Sequence, residues 1–398
     1  MTEEPSAAGV WVPVEGDRNF PAAVRRKGAW VPPPLRSDVR LCPRTHRSLA
    51  AAEQALGRLD EAADRLPERE SLEQSTLLRE AKSSAALDNR HFSLEELLVA
   101  KARPVDLPDQ FAAVDRYLTA AGRAFSAVGR DAKVDLGLLR EISNLLVSRP
   151  DAEPPSEWRT DVTWLGGPRP ESAVMLHVPH GPYLLSSAEQ WQVWNADDHD
   201  IPLVGKIGLG HHRLEVIHPF AGGNGYVSRA YVNLELVAAG VLRGPILPLS
   251  VWFDRNRDEY YSHVLCVAEK NSYEDFLIFF AEGIRTICME QIRHIKQMEE
   301  LRAKHRSKIG RGGGNAVRVA DSLVGRPVTT NKDIATRFDM SRKGATDAIR
   351  KLVGEGLLEE CNPGVRRNKI YICREALDLL TRDPAPPLED RAVFTEKV

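Results

Sequence analysis

Residues 218–229 read HPFAGGNGYVSR: a histidine, a turn with three glycines around one asparagine, and an arginine one helical turn further on. Glycine lets a backbone approach an anion with no Cβ in the way, and a helix starting on such a turn points unpaired N–H groups and a positive dipole end outward. Gly223, Asn224 and Gly225 would then form an anion nest, with Arg229 adding a fixed positive charge. His218 stands at its entrance, where a neutral imidazole can take a proton from an attacking hydroxyl. A base beside a held phosphate is the layout of nucleotidyl transfer. No carboxylate lies within the stretch to hold a metal. The same residues also suit a glycine-rich loop packed between two helices, with a hydrogen-bonded histidine and no ligand.

Working outward, a helix from about residue 202 leads into this loop and another, over 227–240, leaves it. Upstream, WRTDVTWLGGPRPESAVMLHVPHGP has β-branched residues and tryptophans around a Gly-Gly turn, which predicts a two-stranded flap in an otherwise helical domain. Helices are expected over 47–66, over 71–101 with Ser71 and Ser93 as N-caps and a break at Asp88-Asn89, and over 109–147, where Phe111, Val114, Tyr117 and Leu118 recur at helical spacing. Helices dominate again from residue 254 to about 304. Residues 1–45, rich in proline and glycine, should lie extended. The expected division is an extended segment (1–45), an N-terminal helical region (46–148), a core carrying the loop (149–304), a glycine-rich linker (305–316), a basic C-terminal module (317–382) and a tail (383–398). The GRGGG run of the linker and GKIGLG at 205–210 both lack the strand-turn-helix context of a phosphate loop.

The C-terminal module has its own signature. TTNKDIATRFDMSRKGATDAIRKLVGEGLLEEC gives two short helices about a turn, the second capped by Ser341, with Ile334, Ala335, Phe338, Ala345, Ile349 and Leu352 facing inward. NPGVRRNKIYIC then supplies a turn at Pro363-Gly364 and a strand over 369–373. The whole resembles a winged helix-turn-helix. Docked on DNA in that mode, Arg342, Lys343 and Arg350 would reach phosphates or bases, and Arg366 and Arg367 would track the backbone. A solvated basic face on a dimerisation module is the other expectation, and a homodimer is left open.

Composition bounds these expectations. A formal charge of −2 argues against a chain that coats nucleic acid with its whole surface but leaves room for one basic module. The start, MTEEPSAAGV, has acids where a signal peptide carries Lys or Arg, and no apolar run approaches a bilayer span, so a cytoplasmic protein without membrane contact is expected. Cys42, Cys266, Cys288, Cys361 and Cys373 form no CxxC pair, so buried reduced thiols are expected rather than a metal cluster.

HPFAGGNGYVSR resembles the Fic family signature HxFx(D/E)GNGRxxR, and His211, Glu215 and Ile217 match the helix that precedes it. WVPPPL (30–35) is similar to that family's N-terminal segment, WRTDVTWLGG (158–167) to its target-aligning flap, and RNRDEYY (255–261) to the helix after the motif. The resemblance implies a mainly α fold with a β-hairpin flap, and transfer of AMP from ATP to a Ser, Thr or Tyr hydroxyl of a protein or of the chain itself. It implies His218 as general base, Phe220 as loop anchor, Gly223–Gly225 with Arg229 as phosphate holders, Leu165, Gly166 and Gly167 as the docking flap, and Tyr260 and Tyr261 flanking the nucleoside.

Two motif positions depart: Gly222 replaces the acid that carries Mg²⁺, and Tyr226 replaces the first arginine, where it is expected to hydrogen-bond a phosphate or stack on a base, or else to cover the pocket wall. Magnesium use is therefore open, and an attenuated AMP transferase is expected, with a transferase for another phosphate compound or a catalytically silent nucleotide-binding regulator acting on DNA as the alternatives. REAKSSAALDN (79–89) resembles the family's inhibitory (S/T)xxxE(G/N) helix, aligning Ser84, Asp88 and Asn89 with it. Because Asp88 is one methylene shorter than the family's glutamate, a weaker or water-bridged clamp on Arg229 is expected, or no more than a helix end.

Overall fold

In the computed structural model, residues 9–14, 18–103, 105, 107–129, 132–147, 156–310 and 313–382 are described. The tail at 383–398, the first eight residues, and positions 311 and 312 of the expected linker lie outside them. The chain divides into two compact units, residues 1–295 and 296–398.

The first unit begins with β1 (Val10–Val12), α1 (Ala22–Lys27) and β2 (Ala29–Val31), followed by α2 (Pro43–Asp64), α3 (Arg69–Leu87), α4 (Leu94–Lys101), α5 (Asp109–Ala127) and α6 (Leu136–Val147). Next come β3 (Trp164–Gly166) and β4 (Ala173–Leu176), α7 (Pro182–Ala196), α8 (Leu203–Ile217), α9 (Asn224–Ala238), α10 (Ser250–Arg255), α11 (Arg257–Lys270) and α12 (Glu274–Ile309). The boundary between the units falls within α12, ahead of the glycine-rich run where the sequence placed it.

Helices α8 and α9 are buried on almost every face, which makes them the centre of the unit. The glycines of GKIGLG serve that packing: a Cβ on Gly210 would lie 2.2 Å from the Tyr231 hydroxyl on α9. Polar residues of α8 are buried with partners. His211 reaches the Ser228 carbonyl (2.9 Å) and Tyr260 Oη (3.1 Å), and Arg213 donates to the Pro33 carbonyl (2.7 Å). On α5 the buried positions Phe111, Val114, Tyr117, Ala121 and Ala124 recur every three or four residues, as amphipathic spacing requires.

The flap is larger than the expected hairpin. β3 and β4 pair antiparallel, but β4 also pairs with β2 in parallel, giving a four-stranded sheet in the order β1-β2-β4-β3. The N-terminal segment is accordingly not simply extended: Ala29 and Trp30 are buried strand residues, and α1 forms where no proline interrupts residues 22–27. Ser71 lies inside α3, whose N-cap is Glu68, while Ser93 does precede α4 although its side chain makes no capping bond.

The second unit holds α13 (Asn315–Leu323), β5 (Val328–Thr330), α14 (Asn331–Arg337), α15 (Arg342–Gly354), β6 (Glu359–Glu360), β7 (Ile370–Ile372) and α16 (Arg374–Thr381). Ser341 caps α15 by accepting from the Gly344 amide (3.1 Å). Ile334, Ala345, Ile349 and Leu352 are buried in its core with Val319, Leu323 and Leu357, and Ala335 and Phe338 pack at its edge. β7 pairs antiparallel with both β5 and β6. All five cysteines are free, but only Cys288 and Cys373 are buried; Cys42 is exposed, contrary to the expectation of buried thiols. Among the described residues no helix is long and apolar enough to cross a membrane.

Candidate active site

The loop between α8 and α9 is built by its own polar groups. His218 ends α8 in the left-handed region (φ +50°), its amide donating to the Leu214 carbonyl at 2.9 Å. A non-glycine residue held there costs roughly 1 kcal/mol or more, so the surroundings must impose it. The Asn224 side chain fixes the turn that follows His218. Its Oδ1 accepts from the Phe220 amide (2.7 Å) and its Nδ2 donates to the Phe220 carbonyl (2.8 Å), closing the turn on itself. That side chain therefore shapes the loop rather than facing a ligand. Phe220 is buried against Trp158, as an anchor should be. Gly223 sits at φ +67° as the N-cap of α9. The end of α6 covers this turn: the Ser143 hydroxyl donates to the Gly222 carbonyl (2.7 Å), and a Cβ on Gly222 would lie 2.6 Å from Val147 Cγ1.

Arg229 is 4% exposed and almost fully engaged. Its Nε donates to Ser84 Oγ (2.8 Å), and its Nη2 donates to the Ser84 carbonyl (3.1 Å) and Asp88 Oδ1 (3.3 Å). Its Nη1 lies 3.8 Å from Glu215 Oε1. Gly225 makes the position possible, since a Cβ there would fall 2.9 Å from Nη1. Burial works against the guanidinium charge, yet Asp88 and Glu215 outweigh it and hold its pKa above the usual range. Asp88 thus reaches Arg229 directly and without a water bridge, at 3.3 Å, a length in keeping with the weaker clamp expected of the shorter side chain. The last four carbonyls of α3 all find partners: Ser84 from Arg229, Ala85 from the Arg90 amide, Ala86 from the Asn89 amide and Arg257, and Leu87 from the Tyr261 hydroxyl (3.3 Å). Asn89 Oδ1 also accepts from Arg257 (3.2 Å). Two cations at a helix C-terminus suit its dipole.

A cleft of about 280 Å³ gathers much of the predicted set: His218, Gly225, Arg229, Asp88, Asn89, Tyr260, Tyr261 and the flap residues Leu165, Gly166 and Gly167. His218 Nδ1 lies 3.3 Å from the Glu215 carbonyl, a contact that assigns the ring proton to Nδ1 and leaves the Nε2 lone pair unclaimed among the described residues. Burial, with Arg159 nearby, lowers its pKa to about 3, so the ring is neutral across the physiological range. Arg159, which the sequence did not single out, donates to the carbonyls of His218 (2.6 Å), Asp161 (2.7 Å), Ile217 (3.1 Å) and Val178, tying the flap to the end of α8. His177, also unread in the sequence, stacks on His218.

Two tyrosines are placed otherwise than expected, Tyr226 outside the cleft lining and Tyr260 with its ring buried. Tyr226 is 4% exposed and packs on Tyr117 (5.0 Å between ring centres), away from the cleft lining; its hydroxyl has no hydrogen-bond partner among the described residues. The Tyr260 ring is buried in a stack with Phe253 (4.4 Å), leaving no face for a nucleoside. Tyr261 is half-buried and holds the Leu87 carbonyl. The carboxylates in the cleft do not suit Mg²⁺. Asp88 is ion-paired, and Glu215 is 3% exposed, bonded by the Ser228 hydroxyl, its pKa raised by burial. Among the described residues no group of three His, Cys, Asp or Glu could hold a metal ion. In the second unit, Arg342 and Lys343 are exposed at the start of α15, Arg366 and Arg367 are exposed between β6 and β7, and Arg350 is paired with Asp347 (2.9 Å).

Residues 46–126 match the Fic/DOC family N-terminal region, and residues 133–236 match the Fic/DOC family itself. The chain belongs to the Fic/DOC family. Among Fic relatives, it is 29% identical over 155 residues to the protein adenylyltransferase Fic of Drosophila yakuba, covering 38% of this chain and 28% of that protein. It is 26% identical over 197 residues to the protein adenylyltransferase Fic of Culex quinquefasciatus, covering 48% of this chain and 35% of that one. The match therefore spans about a third or less of these curated relatives' length. The crystal structure of a Fic family protein from Desulfovibrio desulfuricans G20 superposes with a TM-score of 0.55 at 19% identity, over 85% of this chain and 98% of that one. The fold is thus Fic-like, mainly helical with small sheets.

Proposed function

We propose that this chain transfers AMP from ATP to a hydroxyl of a protein target or of itself, in a form restrained by Asp88. The observation that carries the proposal is the neutral His218 imidazole, its Nε2 lone pair unclaimed among the described residues, in one cleft with Gly225 and Arg229. In the reaction, Nε2 takes the proton of the attacking hydroxyl, whose oxygen bonds to the α-phosphorus of ATP. The bond from that phosphorus to the bridging oxygen breaks, and pyrophosphate leaves. The N-terminal amides of α9 and the Arg229 guanidinium face the developing charge, which preorganised donors stabilise strongly. The flap edge at Leu165–Gly167 borders the cleft and suits a target segment lying beside it in extended form. No step is routed through Mg²⁺, because Gly222 offers no carboxylate. Ser84 and Asp88 act as the restraint by competing with phosphate for Arg229, while Asn89 ties the end of the same helix to Arg257. Labelled ATP incubated with the protein, with and without Mg²⁺ or Mn²⁺ and beside a His218→Ala control, tests this; absence of any His218-dependent label refutes it.

A second reading is favoured by one observation. The order helix, strand, helix, helix, two strands around α14 and α15 supports a winged helix-turn-helix, with Arg342, Lys343, Arg366 and Arg367 exposed on it. On that basis the second unit binds DNA, with α15 in the major groove and the β6–β7 loop on the backbone. A mobility shift insensitive to Arg342→Ala combined with Arg366→Ala counts against it.

A further inference from the structure

The His177 imidazole lies face to face with that of His218, ring centres 4.0 Å apart and planes 13° from parallel. His177 is 3% exposed, follows directly on β4, and is held from several sides. Its amide donates to the Thr163 carbonyl (3.1 Å), its Nδ1 shares a hydrogen bond with Thr163 Oγ1 (2.9 Å), and the next amide, of Val178, donates to the Val216 carbonyl on α8 (3.1 Å). His177 therefore has little freedom of its own, and its Nε2 has no partner among the described residues.

We propose that His177 is a positioning residue for the transfer reaction: its fixed ring sets the plane of the His218 imidazole and covers one face of it. The inference rests on His218 acting as the base. A left-handed backbone and one 3.3 Å contact to the Glu215 carbonyl leave the His218 side chain free to turn about its ring bond, and the stack removes that freedom. The charged groups around the pair are Arg159 from the segment before β3, Arg229 from α9, and Glu215 and Asp88 along the cleft. Burial and Arg159 keep both rings neutral, with Arg229 adding to this at His218, so neither repels the other.

The experiment compares the full chain with His177→Ala and His177→Phe, using selective ¹⁵N-histidine NMR to titrate His218 and steady-state labelling to separate kcat from KM. His177→Ala opens a face of His218 to water, so its pKa rises from about 3 towards 6.5. In the same variant kcat falls by about 10- to 100-fold, with little change in KM for ATP, as expected when a reacting group is misplaced rather than removed. His177→Phe keeps a flat ring over His218 and restores both the low pKa and most of kcat. A His218 titration unchanged in His177→Ala, or a His177→Phe as impaired as the alanine variant, overturns the proposal. The titration needs no nucleotide, so it decides the role of the stack even where the wild type shows no His218-dependent label, a result that would sink only the transfer reaction.

Discussion

Replacing Asp88 by asparagine removes the charge that holds Arg229 while keeping the shape of the side chain. The ion pair spans 3.3 Å, with the guanidinium side chain 4% and the carboxylate side chain 36% exposed. At that separation Coulomb attraction runs from ~1 kcal/mol in water to ~5 kcal/mol near a protein surface, before the cost of desolvation. Partial exposure of Asp88 puts the net value at the low end, about 1–2 kcal/mol, because water screens the carboxylate. Arg229 keeps its two bonds to Ser84 and its approach to Glu215 in the variant, so it stays in place but loses the anion that competes with phosphate. ATP affinity should tighten by about 5- to 30-fold, the factor that 1–2 kcal/mol represents. Calorimetric titration of ATP in a His218→Ala background, where no turnover interferes, measures this directly. Asp88→Glu, one methylene longer, should shift affinity the other way. An affinity for Asp88→Asn equal to or weaker than that of the parent refutes the role assigned to the clamp.

Gly222→Asp alone should lower the melting temperature and leave labelling low, because its Cβ would meet Val147 Cγ1 at 2.6 Å; pairing it with Val147→Ala should yield Mg²⁺-dependent labelling raised by up to about 10²-fold. Asn224→Ala should destabilise the fold by about 2–4 kcal/mol in urea titrations, since it strips partners from both backbone groups of the buried Phe220. Glu80 accepts bonds from the Ser250 amide and hydroxyl, and burial raises its pKa from 4.5 to about 7. A raised carboxyl pKa means the folded state holds a proton that the unfolded chain has released, so this contribution is full below pH 4.5 and disappears as pH rises through 7. The melting temperature of Glu80→Gln should therefore gain on that of the wild type between pH 5 and pH 8, by the equivalent of about 3 kcal/mol at most; a pH-independent gap would contradict it. For the second unit, Arg366→Ala with Arg367→Ala should reduce the slope of log affinity for DNA against log salt by about 0.9 for each phosphate that is no longer neutralised.

The parts of the site that were readable in advance are those whose partners lie nearby in the chain. The glycine turn, the histidine before it and the arginine after it are contiguous, and a helix starting on that turn follows from local chemistry; nothing in the residue names marks the left-handed backbone of His218. Asp88 and Ser84 are placed only through likeness to an inhibitory segment; nothing within their own helix points to Arg229. The direction of Tyr226 depends on Tyr117 of α5, more than a hundred residues upstream, so a cleft-facing and a core-facing tyrosine look the same in sequence. Arg159 is invisible for a different reason. It binds backbone carbonyls, which exist at every position and leave no trace in residue identity. The three-residue strands β1 and β2 are too short to display alternation, and β2 gains its parallel neighbour from across the chain. His177 does not stand out because a histidine at the end of a strand more often satisfies the core than serves a neighbour.

The carbonyl of Ser84 closes one end of α3 by using a hydrogen of Arg229, the same cation that a phosphate in the cleft would claim. Nucleotide and helix terminus are thus rivals for a single donor, and by reciprocity whatever loosens residues 84–89 improves retention of the nucleotide, while whatever grips them from outside expels it. Occupancy of the cleft is then legible at a distance from it, as faster amide exchange along the last turn of α3.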